Sequence, residues 1–282
     1  MGETDGTESR RARDELARDL ACVAVTAGST VAAVFAAGCA LTWKGDGSPV
    51  TDADLAAERI ICDRLSERFP EMPIVSEERI AAGDAPVIGS RFALVDPLDG
   101  TREFIAGRKE FTVNVAIVVR GRPVAGAIYA PMLERLWIGG ASAYTCTVAP
   151  GAGLPDLAAM RRIKVRLPSP DHLAALVSRS HIDPHTETYL GRLPVSERRP
   201  MGSSLKFCVI AEGQADLYPR FGATREWDTA AGCAVLTAAG GSIVDPEGRP
   251  LRYGGVQSGF RHDGFVALGG LRFVPVAEGD PR

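Results

Sequence analysis

Three stretches of this sequence run from an ordered segment into acids. "LVDPLDGTREF" (Leu94–Phe104) passes from an apolar run into Asp96 and Asp99, with Pro97 and Leu98 between them. "IVSEE" ends in Glu77 and Glu78, and "REWDTAAG" sets Asp228 before small residues. Taken singly, each has a local explanation. Asp-Pro and Asp-Gly are turn dipeptides, Glu77 and Glu78 could end a strand in solvent, and Asp228 could N-cap a helix. Together they suit a hard cation. Mg²⁺ takes oxygen ligands and keeps several waters, so a few carboxylates suffice to hold it. Asp96 and Asp99 flank a Pro-fixed turn, and the Leu98 carbonyl between them is a further oxygen. Acids crowded in this way repel one another unless a cation joins them. Gly100 and Thr101 would then turn backbone N–H groups toward an anion beside the metal. Two Mg²⁺ ions next to an anion nest are suited to phosphate ester hydrolysis.

The elements that must position these groups can be read from periodicity. "FALV" before Asp96 reads as a buried strand, and "MPIVSEE" as a short strand ending in its acids. "FTVNVAIVVRGRPVAGAIYAP" reads as two strands joined by Gly-Arg-Pro, with "LERLWIGG" as a third. Helices are expected from about Asp14 to Ala37 and through "DADLAAERIICDRLSERF", where Thr51 or Asp52 is a suitable N-cap. Further helices are expected near Pro184 to Leu193, from Ser204 to Glu212, and from Thr229 to Ala239. A strand is expected in "AALVSRS", with short ones around Gly241–Val244 and Phe265–Leu268. Turn residues concentrate in "VAPGAGLPDL". This suggests a polar disordered tail over 1–13, an N-terminal lobe over 14–147 holding most acids, and a C-terminal lobe over 148–282. Mixed strands and helices indicate an α/β or α+β class.

With 282 residues, 45% of them hydrophobic, the chain can bury a large core. A net charge of −3 supplies no basic field for a nucleic acid polymer or an anionic membrane. The six cysteines form no CxxC pair, which disfavours a zinc site or a disulfide framework and makes a reducing cytoplasm the default. Leu20 to Trp43 carries no charge and is long enough to span a bilayer. Its Ala, Gly, Ser and Thr content weakens insertion, and Asp14, Glu15 and Asp19 flank it. A buried helix lined with small residues is expected instead.

"DPLDGTREF" resembles the first signature of the inositol monophosphatase superfamily and "WDTAAG" the second, in the family's order and with "VSEE" upstream. The likeness extends through "SPVTDADLAAE", "GRPVAGAIYAP", "VSRSH", "GSSLKFCVIAEGQADLYPRFG" and "EWDTAAG". The last of these stretches look most like bacterial CysQ-type 3′(2′),5′-bisphosphate nucleotidases. The resemblance implies a two-lobed alternating αβαβα sandwich. It also implies Glu77, Asp96, Asp99, Asp228 and the Leu98 carbonyl as ligands of two or three Mg²⁺ ions, with Glu78 the weaker of its pair. Asp54, otherwise a solvated acid in a first helical turn, matches the acid that bonds Thr101 and activates water. Gly100, Thr101, Ser178, His181, Gly202 and Lys206 match substrate contacts, although Lys206 could instead snorkel to solvent. Lys44 matches a lysine near an active-site loop. The implied activity is removal of the 3′-phosphate of adenosine 3′,5′-bisphosphate in sulfur assimilation, with lithium sensitivity. Cleavage of the sulfated nucleotide is open, as is the oligomeric state. An inositol-1-phosphate phosphatase and a non-catalytic nucleotide-binding relative are the alternatives.

Overall fold

The computed structural model of the protein describes residues 10–38, 41–43, 49–179 and 183–275. Its first half runs α1 (Arg10–Ala37), β1 (Leu41–Trp43), β2 (Pro49–Thr51), α2 (Asp52–Arg68), β3 (Ile74–Ser76), α3 (Glu77–Ala81) and β4 (Arg91–Asp99). It continues with α4 (Thr101–Ile105), β5 (Thr112–Val119), β6 (Arg122–Ala130), β7 (Arg135–Gly139), β8 (Ala143–Thr147) and β9 (Arg161–Ile163). The second half opens with β10 (Leu173–Ser178), α5 (Pro184–Gly191), β11 (Val195–Met201), α6 (Leu205–Ala211) and β12 (Leu217–Arg220). It closes with β13 (Thr224–Arg225), α7 (Glu226–Ala238), β14 (Ser242–Val244), β15 (Arg261–His262) and β16 (Phe265–Leu268).

Strands β3 to β9 form one sheet in sequence order. A second sheet has the order β11-β10-β12-β16-β14. Helices α1 and α2 cover one face of the first sheet, burying Leu20, Ala24, Ile61 and Leu65 against Val95, Val115 and Ala127. On its other face lie α6 and α7, where Phe207, Ala231 and Val235 join Leu94 and Ile128 to Leu176 and Phe265 of the second sheet. Helix α5 packs Tyr189 and Leu190 on the outer side of that sheet. The layers are therefore αβαβα, as the family resemblance implied. The seven-stranded sheet takes its last strand, β9, from beyond the "VAPGAGLPDL" stretch.

Local chemistry accounts for most of the boundaries. Thr51 caps α2: its hydroxyl accepts from the Ala53 N–H at 3.2 Å. The turn between β5 and β6 is not Gly-Arg-Pro but Arg120-Gly121, with φ of 50° and 74°. Two residues of positive φ match the twist of the flanking strands, so Pro123 falls inside β6. Helix α1 begins at Arg10, so Arg10–Arg13 of the expected tail are helical; Arg11 pairs with Glu15 one turn on, at 2.8 Å.

Among the described residues α1 is the one helix long and apolar enough to cross a membrane. Its face from Leu16 to Val31 is instead buried in the protein core. The small residues set the packing distance: a Cβ on Gly28 would lie 2.4 Å from the Tyr129 ring on β6. From Leu20 to Ala37 the uncharged run is thus a core helix lying close against its sheet.

Candidate metal and phosphate site

The acids come together at the ends of adjacent elements. Strands β3 and β4 are parallel, with Ser76 opposite Val95, so Glu77 and Asp96 leave the sheet side by side. Asp228 reaches them from α7. Carboxylate oxygens of Glu77, Asp96 and Asp228 all lie within 4.8 Å of one another. Asp99 is outside that trio but lines the same pocket, together with Leu98, Gly100 and Thr101.

A bulge makes Asp96 and Asp99 work together. Asp96 pairs with Asn114 and Asp99 with Thr112, so β4 carries one more residue than β5 over this step. In a regular strand, positions i and i+3 face opposite sides of the sheet. The extra residue at Pro97-Leu98 returns Asp99 to the face of Asp96. The Leu98 N–H also donates to Asp96 Oδ1 at 3.1 Å, which fixes that carboxylate.

The charges are held in place with difficulty. Burial raises the Asp96 carboxyl well above its ordinary range, and Glu77, Asp99 and Asp228 raise it further. Asp99 is pushed up to about 6 by burial and Asp228, against opposing help from Lys206, the Ser204 N–H and Asn114. Acids at this density with hard oxygen donors fit a divalent cation, whose charge would reverse the repulsion. Glu78 is buried beside Glu77 but is not among the converging oxygens.

Asp228 is not an N-cap. Helix α7 starts at Glu226, earlier than the sequence indicated, because Glu226 accepts from the Gly254 and Gly255 N–H groups at 2.6 and 2.7 Å. Asp228 is therefore the third residue of α7. Its Oδ2 accepts from the Arg225 N–H at 3.0 Å and from the Thr224 hydroxyl.

Asp54 is 2% exposed, so it is not a solvated acid. Its Oδ2 accepts from the Thr51 N–H and hydroxyl, both at 2.7 Å, in a capping box. Its Oδ1 faces the Thr101 hydroxyl at 3.4 Å, which also donates to the Leu98 carbonyl at 3.1 Å. Gly100, ahead of Thr101, has φ of 95° and starts α4 from a left-handed conformation.

Ser178, Gly202 and Lys206 line the pocket. His181 and Lys44 lie outside the described residues. A Cβ on Gly202 would come within 2.9 Å of the Glu110 carbonyl, so the loop before α6 packs too closely for a larger residue. Lys206 does not snorkel, being only 3% exposed. Its Nζ donates to the Met201 and Ser203 carbonyls at 3.1 and 2.6 Å, and it sits 4.8 Å from the Tyr218 ring centroid. It thereby ties down the loop whose Ser204 N–H donates to Asp99.

Several site residues escaped the sequence reading. Asn114 and Thr112 on β5 bond Ser204 at 2.8 and 2.7 Å and link Asp99 to α6. A lone asparagine within "TVNVAIVV" was the available signal. Glu110 forms a bidentate pair with Arg179 and accepts from the Gly202 N–H at 3.1 Å. No local pattern marks that pair.

Lys206→Met is expected to lower kcat/KM about tenfold or more on every phosphate ester, because it releases the loop holding Asp99. Burial brings the Lys206 ammonium down to about 8 from its ordinary 10.5. Between those values the unfolded chain binds the proton more tightly, so wild-type stability should rise with pH across the window. The variant should lack this rise. Thermal melts from pH 7 to 11 measure it, and identical profiles would dismiss the buried charge.

A family model, the inositol monophosphatase family, matches residues 13–263. The chain is 44% identical over 211 residues to the 3′(2′),5′-bisphosphate nucleotidase CysQ of Escherichia coli (strain K12), covering 74% of this chain and 81% of that one. Among solved structures it is similar to CysQ from Bacteroides thetaiotaomicron, with a TM-score of 0.75 and 34% identity, over 91% of this chain and 98% of that one. It is also similar to an inositol monophosphatase from Zymomonas mobilis, with a TM-score of 0.72 and 27% identity, over 92% and 94% of the two chains.

Proposed function

The chain belongs to the inositol monophosphatase family and is a phosphatase, and on that premise we propose that it removes the 3′-phosphate of adenosine 3′,5′-bisphosphate with Mg²⁺. It is a 3′(2′),5′-bisphosphate nucleotidase of the CysQ type, a role supported by the identity to the Escherichia coli enzyme. The observation that carries the hydrolytic chemistry is the convergence of Glu77, Asp96 and Asp228 beside the Asp54–Thr101 pair.

Glu77, Asp96, Asp99, Asp228 and the Leu98 carbonyl would hold two or three ions. Bound Mg²⁺ supplies Lewis-acid stabilisation of the phosphoryl oxygens and a more acidic water. The chain's own residues handle the proton. Thr101 accepts it from the attacking water while passing its own to Asp54 Oδ1. Asp54 is held for that task because both donors of Thr51 occupy its other oxygen. The water oxygen bonds to phosphorus as the bond from phosphorus to the 3′-oxygen breaks; the leaving 3′-oxygen takes up a proton from solvent, Asp54 returns its proton to solvent, and the products are AMP and phosphate. Gly100 and Thr101 bound the phosphate. Ser178 and the loop shaped by Gly202 and Lys206 border the nucleotide, and the family resemblance adds His181 as a further contact.

The cysteines among the described residues are free, in keeping with a cytoplasmic enzyme of sulfur assimilation. Lithium inhibition goes with the proposed metal site.

A Mg²⁺ titration with phosphate release tests the reading. The panel is adenosine 3′,5′-bisphosphate, its 5′-sulfated analogue and inositol 1-phosphate. The bisphosphate is expected to be the best substrate and activity to vanish in EDTA. A preference for inositol 1-phosphate would replace the nucleotidase by an inositol phosphatase. Nucleotide binding without phosphate release would leave a binding protein.

A further inference from the structure

One wall of the pocket is made by Ser178, the last residue of β10, and by Gly202, in the loop between β11 and α6. Strands β10 and β11 are parallel, with Ser178 opposite Met201. Their ladder ends there on a long bond, from the Arg179 N–H to the Met201 carbonyl at 3.3 Å. A wall built beyond the end of a ladder needs a further tie.

Side chains supply it. Glu110 stands in the segment that enters β5 of the seven-stranded sheet, and it takes the Arg179 guanidinium as a bidentate pair, one arm at 2.9 Å. Glu110 Oε2 also accepts from the Gly202 N–H at 3.1 Å, and Arg179 donates to the Pro200 carbonyl at 3.3 Å. One ion pair thus joins the end of β10, the loop before α6 and the edge of the other sheet. Burial works against the Glu110 charge, but the Arg179 guanidinium and the Gly202 N–H hold its carboxyl below the ordinary range. The two side chains are 28% and 29% exposed, so water screens the pair less than it would on an open surface.

Among the described residues the pocket lining includes Ser178 and Gly202 but neither Glu110 nor Arg179. The pair therefore acts on a substrate through those two neighbours. The metal side of the same loop has supports of its own. Ser204 is held by Asn114 and Thr112, and Lys206 bonds the Met201 and Ser203 carbonyls.

We propose that Glu110 and Arg179 are positioning residues for the nucleotide: their ion pair across the two sheets fixes the wall of Ser178 and Gly202 without touching the substrate or the metal ligands. This rests on the nucleotidase reading above.

The test is a double-mutant cycle of Glu110→Ala and Arg179→Ala on adenosine 3′,5′-bisphosphate and inositol 1-phosphate, with Mg²⁺ affinity measured by calorimetry. Each single variant is expected to raise KM for the bisphosphate about tenfold, with kcat and Mg²⁺ affinity little changed, since a displaced wall weakens binding and not the chemical step. Residues that act as one unit are not additive, so the double variant should also stay near tenfold and not reach the hundredfold product. On inositol 1-phosphate kcat/KM should barely move. Glu110→Gln, which keeps an acceptor for Gly202 but loses the charge, should fall between wild type and Glu110→Ala, and it carries the test if an alanine variant does not fold. An Arg179→Ala loss that persists undiminished in the Glu110→Ala background would place Arg179 on the substrate itself and overturn the proposal. Equal losses on the two substrates, or a fall in kcat with unchanged KM, would also overturn it and make the pair a support of the fold or the metal site. A wild type preferring inositol 1-phosphate would instead overturn the nucleotidase reading, and the proposal with it.

Discussion

Asp96→Asn is expected to lower kcat by roughly 10²–10³-fold at saturating Mg²⁺, the scale of one lost electrostatic stabiliser. Asp96 converges with Glu77 and Asp228 and is 1% exposed, so its carboxylate is fixed within the acidic group. The fold should survive, and the metal-free variant should be more stable than the metal-free wild type near neutral pH. The reason is the sign of the acid shifts. Asp96 is raised by burial and then by Glu77, Asp99 and Asp228, and Asp99 is raised to about 6 from 3.8. The folded state thus holds these protons more tightly than the unfolded one. Stability is greatest below the ordinary carboxylate range and falls as pH climbs from about 4 through 6. Asparagine removes one of the repelling charges. Thermal melts in EDTA from pH 4 to 8 should show a shallower decline for the variant. Phosphate release gives kcat. Near-normal turnover by a folded Asp96→Asn protein would remove Asp96 from the metal site.

Thr101→Ala is expected to cut kcat by roughly 10²–10⁴-fold, the range for a lost general acid–base group, with Mg²⁺ affinity little changed. The hydroxyl lies between Asp54 and the Leu98 carbonyl, and its proton has those two places to go. Asp54 is the less clean target. Its Oδ2 also completes the cap of α2, and losing a cap costs about 1 kcal/mol of stability. Thr101→Ser keeps the hydroxyl and should keep most of the turnover. Calorimetric Mg²⁺ titration beside steady-state kinetics separates the roles. If metal binding collapses together with activity in Thr101→Ala, then Thr101 organises the metal shell through Leu98 and does not act on water.

The sequence by itself determined the kinds of chemistry available and the elements that carry them. Apolar runs placed β4 and β5, helical spacing placed α2, and the order of "VSEE", "DPLDGTREF" and "WDTAAG" pointed to one family and its layered fold. These are local signals, legible because side-chain period and turn chemistry act over a few residues. Which groups meet was decided by pairing between distant segments. Glu77 stands beside Asp96 because β3 and β4 are parallel in one particular register. Asp99 shares a face with Asp96 because β4 bulges against β5. Asp54 left solvent because Thr101, 47 residues away, was brought to it. Asp228 lies inside α7 because Glu226 found backbone partners at Gly254 and Gly255. Lys206 is buried over Tyr218, although periodicity allowed it to reach water. In each case a hydrogen bond or register from a remote element outweighed a local preference of about 1 kcal/mol, which is the usual size of caps and propensities.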